Sequence, residues 1–139
     1  MKIAFDCQGV LVADGPTPEI LETRTKGVWM PELVRTLVAG GAQVYCISAV
    51  PAPGGLESNG HPTGYSALVK LLRGIPLHGI YPAFVDPGIS AFEVGIAKAA
   101  VMHEIGCQVI FDDNSGVCDG VRSCGKIAIC YSTNWEKCQ

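Results

Sequence analysis

The chain has 139 residues, of which 48% are apolar and 17% charged, which suits a single packed domain and excludes a disordered chain. Ten Lys and Arg against 13 Asp and Glu give a formal charge of −3 without a basic cluster, so no nucleic-acid partner is expected. No apolar run reaches the roughly 18 residues of a membrane span, and Asp6 interrupts the N-terminal apolar stretch too early for a signal peptide; the expectation is a cytoplasmic protein away from membranes. The seven cysteines lie mostly inside apolar runs and read as reduced, packed thiols. Cys118, Cys124 and Cys130 recur every six residues without a C-x-x-C pair, a poor pattern for zinc.

Taken in chain order, five short apolar runs predict strands: Ile3–Phe5, Gln43–Ile47, Ile80–Val85, Gln108–Phe111 and Lys126–Tyr131. They are continuous rather than alternating, as strands buried on both faces of a parallel sheet are. Each of the first four closes on a polar residue, respectively Asp6, Ser48, Asp86 and the Asp112-Asp113 pair. Between them lie helical segments. Pro31 suits a first turn leading into Glu32–Ala39, which Gly40-Gly41 ends. Thr63 to Arg73 carries Leu68, Leu71 and Leu72 and stops at Gly74, and Ser90 with Glu93 forms a capping box for a helix that ends at Gly106. Ser115 is placed to cap a last helix finishing near Gly125. Strands alternating with helices predict an α/β fold, a Rossmann-like three-layer sandwich on a five-stranded parallel sheet.

In such a sheet the carboxyl ends of the strands converge on one crevice. That brings Asp6, Ser48, Asp112 and Asp113 together, with Lys98 on a crossover. Clustered carboxylates repel one another unless a cation lies between them, and oxygen-only donors suit Mg²⁺. A hydroxyl and an ammonium beside that metal make a place for a phosphoryl group, and a carboxylate aimed at phosphorus can act as nucleophile.

The stretch Phe5-Asp6-Cys7-Gln8-Gly9-Val10-Leu11 resembles the first motif of the haloacid dehalogenase-like (HAD) superfamily, D-x-D-G-[TV]-[LV]. Val44-Tyr45-Cys46-Ile47-Ser48 is similar to the second motif, Lys98 stands where the third has its basic residue, and Val109-Ile110-Phe111-Asp112-Asp113 resembles the fourth. The motifs come in the right order across the whole chain. The interval from Lys98 to Asp112 is similar to that of the 5'(3')-deoxyribonucleotidase branch, and Tyr131-Ser132-Thr133-Asn134-Trp135 faintly resembles its ending.

The resemblance implies a phosphatase. Asp6 would be the nucleophile that forms a phospho-aspartate and would hold Mg²⁺ together with the backbone carbonyl of Gln8. Asp112 or Asp113 would complete the metal site. Ser48 and Ala49 would hold phosphoryl oxygens, Lys98 would neutralise the phosphate and orient Asp6, and Asn114 would join the substrate contacts. Read singly, each has a plain structural role: Asp6 as a turn residue, the Asp112–Ser115 run as a helix cap, and Lys98 as a helix-surface charge. Lys98 also falls two turns into its helix, where a break near Gly95 would be needed to bring it to a helix start.

One position departs from the motif. The superfamily's phosphatases carry a second Asp two residues after the nucleophile as general acid and base; here it is Gln8, whose amide has no proton to transfer near neutral pH. The expectation is a slow phosphatase, limited to good leaving groups or aided by another acid such as His61. The alternative is a protein that binds a phosphorylated ligand without turnover, and a third reading gives Asp6 different chemistry. Cys7 points away from Asp6 by strand alternation, and no Cys has an Arg six residues on, so a Cys-based phosphatase is excluded. The intervals between motifs leave no room for a large cap. Residues 12–30, with Arg24, Lys26 and Trp29, form a candidate small flap, and residues 51–64 a Pro- and Gly-rich loop near the site. The expected partner is a small phosphorylated substrate, with a nucleotide the first guess, and a homo-oligomer fits the apolar composition.

Overall fold

The computed structural model describes residues 1–12, 30–51, 60 and 64–131. Five parallel strands form one sheet: β1 (Lys2–Phe5), β2 (Gln43–Pro51), β3 (Gly79–Val85), β4 (Val109–Asp112) and β5 (Ile127–Cys130). Four helices connect them: α1 (Met30–Ala39), α2 (Tyr65–Leu71), α3 (Ala91–Ile105) and α4 (Ser115–Ser123). The sheet order is β3-β2-β1-β4-β5, the α/β Rossmann-like arrangement that the run pattern predicts. The chain builds outward from β1 to β3, then returns across the sheet to β4 and β5. That reversal puts the topological switch between β1 and β4, where open α/β sheets bind ligands.

Two separate cores flank the sheet. On one face Met30 and Val34 of α1 and Leu68 of α2 pack on Ile3, Phe5, Val44 and Cys46. On the other, Met102 of α3 and Cys118 and Val121 of α4 pack on Ala4, Ile47, Ile110 and Ala128. The alternation along β1 is therefore explicit, with Ile3 and Phe5 on one side and Ala4 on the other. Side chains as fully buried as Phe5, Ile47 and Ile110 each contribute roughly 1.5–3 kcal/mol. β3 is an edge strand and accommodates Pro82, a residue that cannot complete a ladder on both sides.

α3 has to travel from β3 to β4, past the two strands between them, so it crosses beneath the middle of the sheet. It lies tightly against α4 because small residues meet at the crossing. A Cβ on Gly95 would strike the Val117 carbonyl and the Gly120 Cα, and one on Gly120 would strike the Phe92 carbonyl. The helix is continuous through Gly95, without the break that the position of Lys98 suggested. Ser90 caps it by accepting from the Glu93 N–H, as its capping box predicts, and Gly106 ends it in the left-handed region. α4 is capped by Asn114, which accepts from the Gly116 and Val117 N–H groups, rather than by Ser115. Asn114 precedes the first helical residue and its short carbonyl reaches both donors, which leaves Ser115 inside the first turn.

Candidate functional site

The site begins with the register of β1 against β4. Phe5 pairs with Phe111, and their rings stack at 4.8 Å and 10° on the α1–α2 face. The next residue on each strand, Asp6 and Asp112, then falls on the opposite face, the side of Ala4 and Ile110. The Asp6 N–H donates to the Phe111 carbonyl at 2.8 Å, and the Tyr131 N–H donates to the Asp112 carbonyl at 2.9 Å, so both acidic residues are fixed through their backbones. Cys7 belongs to the core on the α1–α2 face, away from the Asp6 carboxylate, as alternation predicts.

Lys98 rises into this pair from α3. Its Nζ donates to Asp6 Oδ1 at 2.8 Å and to Asp112 Oδ2 at 2.5 Å. The side chains of Lys98 and Asp112 are 3% and 1% exposed, which makes this a buried ion pair rather than a surface one. Its depth in the helix is no obstacle. Lys98 lies seven residues after Ala91, about 10 Å along the axis, but helical side chains lean toward the N-terminus and a lysine stem spans the remainder. The buried face of α3, with Gly95, Ala99 and Met102, carries it inward.

Asp113 completes the group from the other side. Asp6, Asp112 and Asp113 each offer a carboxylate oxygen within 4.8 Å of the others. Its carboxylate lies over Gly9, where a Cβ would collide with Oδ2. Gly9 also takes φ +83°, so both its conformation and its lack of side chain are needed there. Around it, residues 7–12 form a tight turn in which the Cys7 carbonyl accepts from the Leu11 N–H at 2.9 Å and the Gly9 N–H donates to the Val12 carbonyl at 2.8 Å. Gln8 stands on this turn and is exposed. The second oxygen of Asp112 is engaged as well: Oδ1 accepts from the Asn114 N–H at 3.1 Å.

Burial dominates the electrostatics. It raises the Asp6 carboxyl above its ordinary range; the Lys98 charge and hydrogen bond oppose this only in part, and the Asp113 charge raises it further. Asp112 is raised in the same way, by burial first and then by Asp6, against the pull of Lys98. Burial works against the Lys98 ammonium, but its two carboxylate partners overcome that and hold it above the usual lysine range. The neighbouring thiols are neutral. A hydrogen bond with Cys7 and burial push Cys46 well up, and burial with the Asp112 charge pushes Cys118 up to about 12. Six described cysteines are free thiols, and among the described residues the cluster of three metal-ligating side chains is the acidic one.

Asp6, Lys98, Asp112 and Asp113 thus meet. Ser48 is placed differently from the expectation that it ends its strand. β2 continues to Pro51, with Ser48 paired to Pro82 and Ala49 to Ala83. The pairing is regular, so Ser48 alternates with Val44 and Cys46 toward the α1–α2 face. β2 also outruns β1, whose pairing to it ends at Phe5 and Cys46. From Ile47 onward its β1-side edge has no strand partner among the described residues and borders the crevice. Asn114 contributes its side-chain oxygen to the α4 cap. His61 and most of the candidate flap and loop, residues 13–29, 52–59 and 61–63, lie outside the described residues. Sequence reasoning missed Gly95, Gly116 and Gly120 as a matched set. The signal was present, since glycine within two neighbouring predicted helices marks a close crossing.

Among the described residues no helix is long and apolar enough to cross a membrane. No protein-family model matches the chain, and no curated protein does. Among solved structures it is similar to the D,D-heptose 1.7-bisphosphate phosphatase from B. bronchiseptica complexed with magnesium and phosphate. The TM-score is 0.61 at 11% identity, over 91% of this chain and 78% of that one. At that identity the likeness is one of fold. A universal stress protein from Archaeoglobus fulgidus aligns at TM-score 0.47 and 15% identity, over 94% of this chain and 92% of that one.

Proposed function

We propose that the chain, read as one HAD-like domain over residues 1–139, is a phosphohydrolase that acts on a phosphate monoester through an aspartyl-phosphate on Asp6. The observation that carries this reading is the ion triad of Lys98 with Asp6 and Asp112 at adjacent strand ends, with Asp113 alongside. A fold shared with a phosphatase whose structure holds magnesium and phosphate supports it. In this reading Lys98 fixes Asp6 and sets positive charge beside the incoming phosphate. Such positioning and electrostatic effects supply most of the catalysis in phosphoryl transfer. Ser48 and Ala49 contact phosphoryl oxygens through the open backbone edge of β2, and Asn114 borders the substrate.

The donor set fits Mg²⁺. Asp6, Asp112 and Asp113 each offer a carboxylate oxygen within 4.8 Å of the others, all of these donors are oxygens, and burial makes charge on Asp6 and Asp112 costly. Asp6, the Gln8 backbone carbonyl and Asp113 would hold the ion, with Asp112, whose oxygens serve Lys98 and the Asn114 N–H, reaching it through water. When bound, the metal supplies positive charge that neutralises the phosphoryl oxygens. The resemblance to the deoxyribonucleotidase branch makes nucleoside monophosphates the first substrates to try.

A second reading has its own observation. Gln8 occupies the general acid/base position with an exposed amide, and losing that function lowers rates by roughly 10²–10⁴-fold, enough to leave a protein that binds a phosphorylated ligand without turnover. Phosphate release from an aryl phosphate and a nucleoside monophosphate panel, with and without Mg²⁺, separates the two. Mg²⁺-dependent release that disappears in Asp6→Asn is the expected result. Silence in the native protein with activity gained in Gln8→Asp would favour binding, and silence in both would refute the phosphohydrolase reading for these substrates.

A further inference from the structure

Among the described cysteines two pairs bring thiols within hydrogen-bonding reach of each other, one on each face of the sheet. Cys7 and Cys46 meet on the α1–α2 face, and Cys118 and Cys130 on the α3–α4 face. The second pair is built around Asp112. Cys130 pairs in register with Asp112, so β5 ends beside that residue. By alternation with Ala128 its side chain points to the α3–α4 face, where it packs against the core that holds Cys118. Cys118 comes from the buried face of α4, and its thiol donates to the Asp112 carbonyl at 3.7 Å. The pairs differ in access. Cys7 and Cys46 are 1% and 0% exposed, so the core shields both from a dissolved oxidant. Cys118 is buried as well, but Cys130 is partly exposed. The second pair thus has what disulfide formation needs, a thiol that a reagent can reach and another beside it. The bridge would also have a mechanical effect. β5 is a four-residue edge strand with β4 on one side, and the Arg122 guanidinium of α4 donates to its Ala128 carbonyl at 2.8 Å. A bond from Cys118 to Cys130 would tie the same helix to the end of that strand.

We propose that Cys118 and Cys130 are a redox-sensitive pair, which peroxide converts to a disulfide that fastens the end of β5 to α4. The Cys130 sulfur attacks one peroxide oxygen and the O–O bond breaks. The displaced hydroxide takes up the thiol proton as water, and Cys130 is left as a sulfenic acid. The Cys118 sulfur then attacks the Cys130 sulfur, and the S–O bond breaks. The departing hydroxide takes the Cys118 proton and leaves as a second water. The two thiols together lose two electrons, and one peroxide is reduced to two waters. Closing the loop 118–130 restricts the unfolded chain and so stabilises the folded one. Neither Asp6 nor Lys98 takes part, so the pair works whether or not the acidic site hydrolyses phosphate esters.

The test treats the full chain with hydrogen peroxide, alkylates it under denaturing conditions and maps the peptides by mass. The expected product is a pair of peptides joined through Cys118 and Cys130 and released by dithiothreitol, with Cys7 and Cys46 recovered as alkylated thiols. Cys124→Ser, at an exposed position, should leave that bridge intact. The oxidised native chain should melt about 5–10 °C above the reduced one, and Cys130→Ser should show no such rise. A Cys130 that advances to the sulfinic acid while Cys118 is still alkylated overturns the proposal. So does a bridge from Cys130 to Cys124 or Cys138, or recovery of both Cys118 and Cys130 as thiols. A Cys118–Cys130 bridge without a rise in melting temperature overturns the fastening of β5.

Discussion

Lys98→Met removes the ammonium and keeps a side chain of similar length in the same buried slot. In the native protein Lys98 is bonded to Asp6 at 2.8 Å and to Asp112 at 2.5 Å, with side chains 3%, 13% and 1% exposed for Lys98, Asp6 and Asp112. Breaking a buried ion pair by removing one partner destabilises by about 3–5 kcal/mol, because the remaining charge is left desolvated. Here two carboxylates lose their partner, so the loss should reach that range at neutral pH. It would be a large share of the roughly 5–15 kcal/mol by which domains are stable.

The pH dependence fixes the cause. Burial raises the folded pKa of Asp6 and Asp112 above the unfolded values, and without Lys98 only the backbone hydrogen bonds from Cys7 and Asn114 oppose it. A carboxylate whose folded pKa is raised subtracts stability once it ionises, and that deficit shrinks as the pH falls through its folded pKa. The variant should therefore lie furthest below the native protein near neutral pH and recover in mild acid. Urea unfolding at several pH values measures both. A loss below about 1 kcal/mol, the scale of an exposed pair, would refute the buried triad, and an equal loss at every pH would refute its carboxylate origin.

Four further substitutions probe the scaffold that positions the site. Gly120→Ala should lower stability by about 1–3 kcal/mol in thermal unfolding, because its methyl meets the Phe92 backbone and forces α3 away from α4. Gly9→Ala must adopt φ +83° and displace the Asp113 carboxylate, so it should lose about 1–2 kcal/mol, and its melting temperature should not rise with Mg²⁺ as the proposed metal site predicts for the native chain. Asn114→Ala should cost about 0.5–2 kcal/mol as the loss of a helix cap, whereas Ser115→Ala, inside the first turn, should change stability little.

The strands were legible because each is a continuous apolar run closed by a polar residue. Their ends were less so. The fourth run, expected over Gln108–Phe111, pairs over Val109–Asp112, a shift within the usual ambiguity of strand termini. The second was expected to stop at Ser48 and runs to Pro51, because Ala49 and Val50 find partners in Ala83 and Phe84 on β3 that no local pattern announces. Chain order in the motifs located Asp6, Asp112 and Asp113. What alternation alone could not supply was the third dimension, namely which helix passes beneath them and how closely.

Lys98 shows why. Judged by its helix alone, it lies too far from the N-terminus to serve a site at the strand ends. Two facts outside that helix reverse the judgement. The sheet order sends α3 across the face that carries Asp6 and Asp112, and the glycines at 95 and 120 let it lie close against α4 as it crosses. Both carboxylates had to fall on that face, which the pairing of Phe5 with Phe111 decides. The ammonium is thus placed by a register, a crossover and two missing methyl groups. None of these is a property of residue 98, so each offers a way to disable the site without touching it.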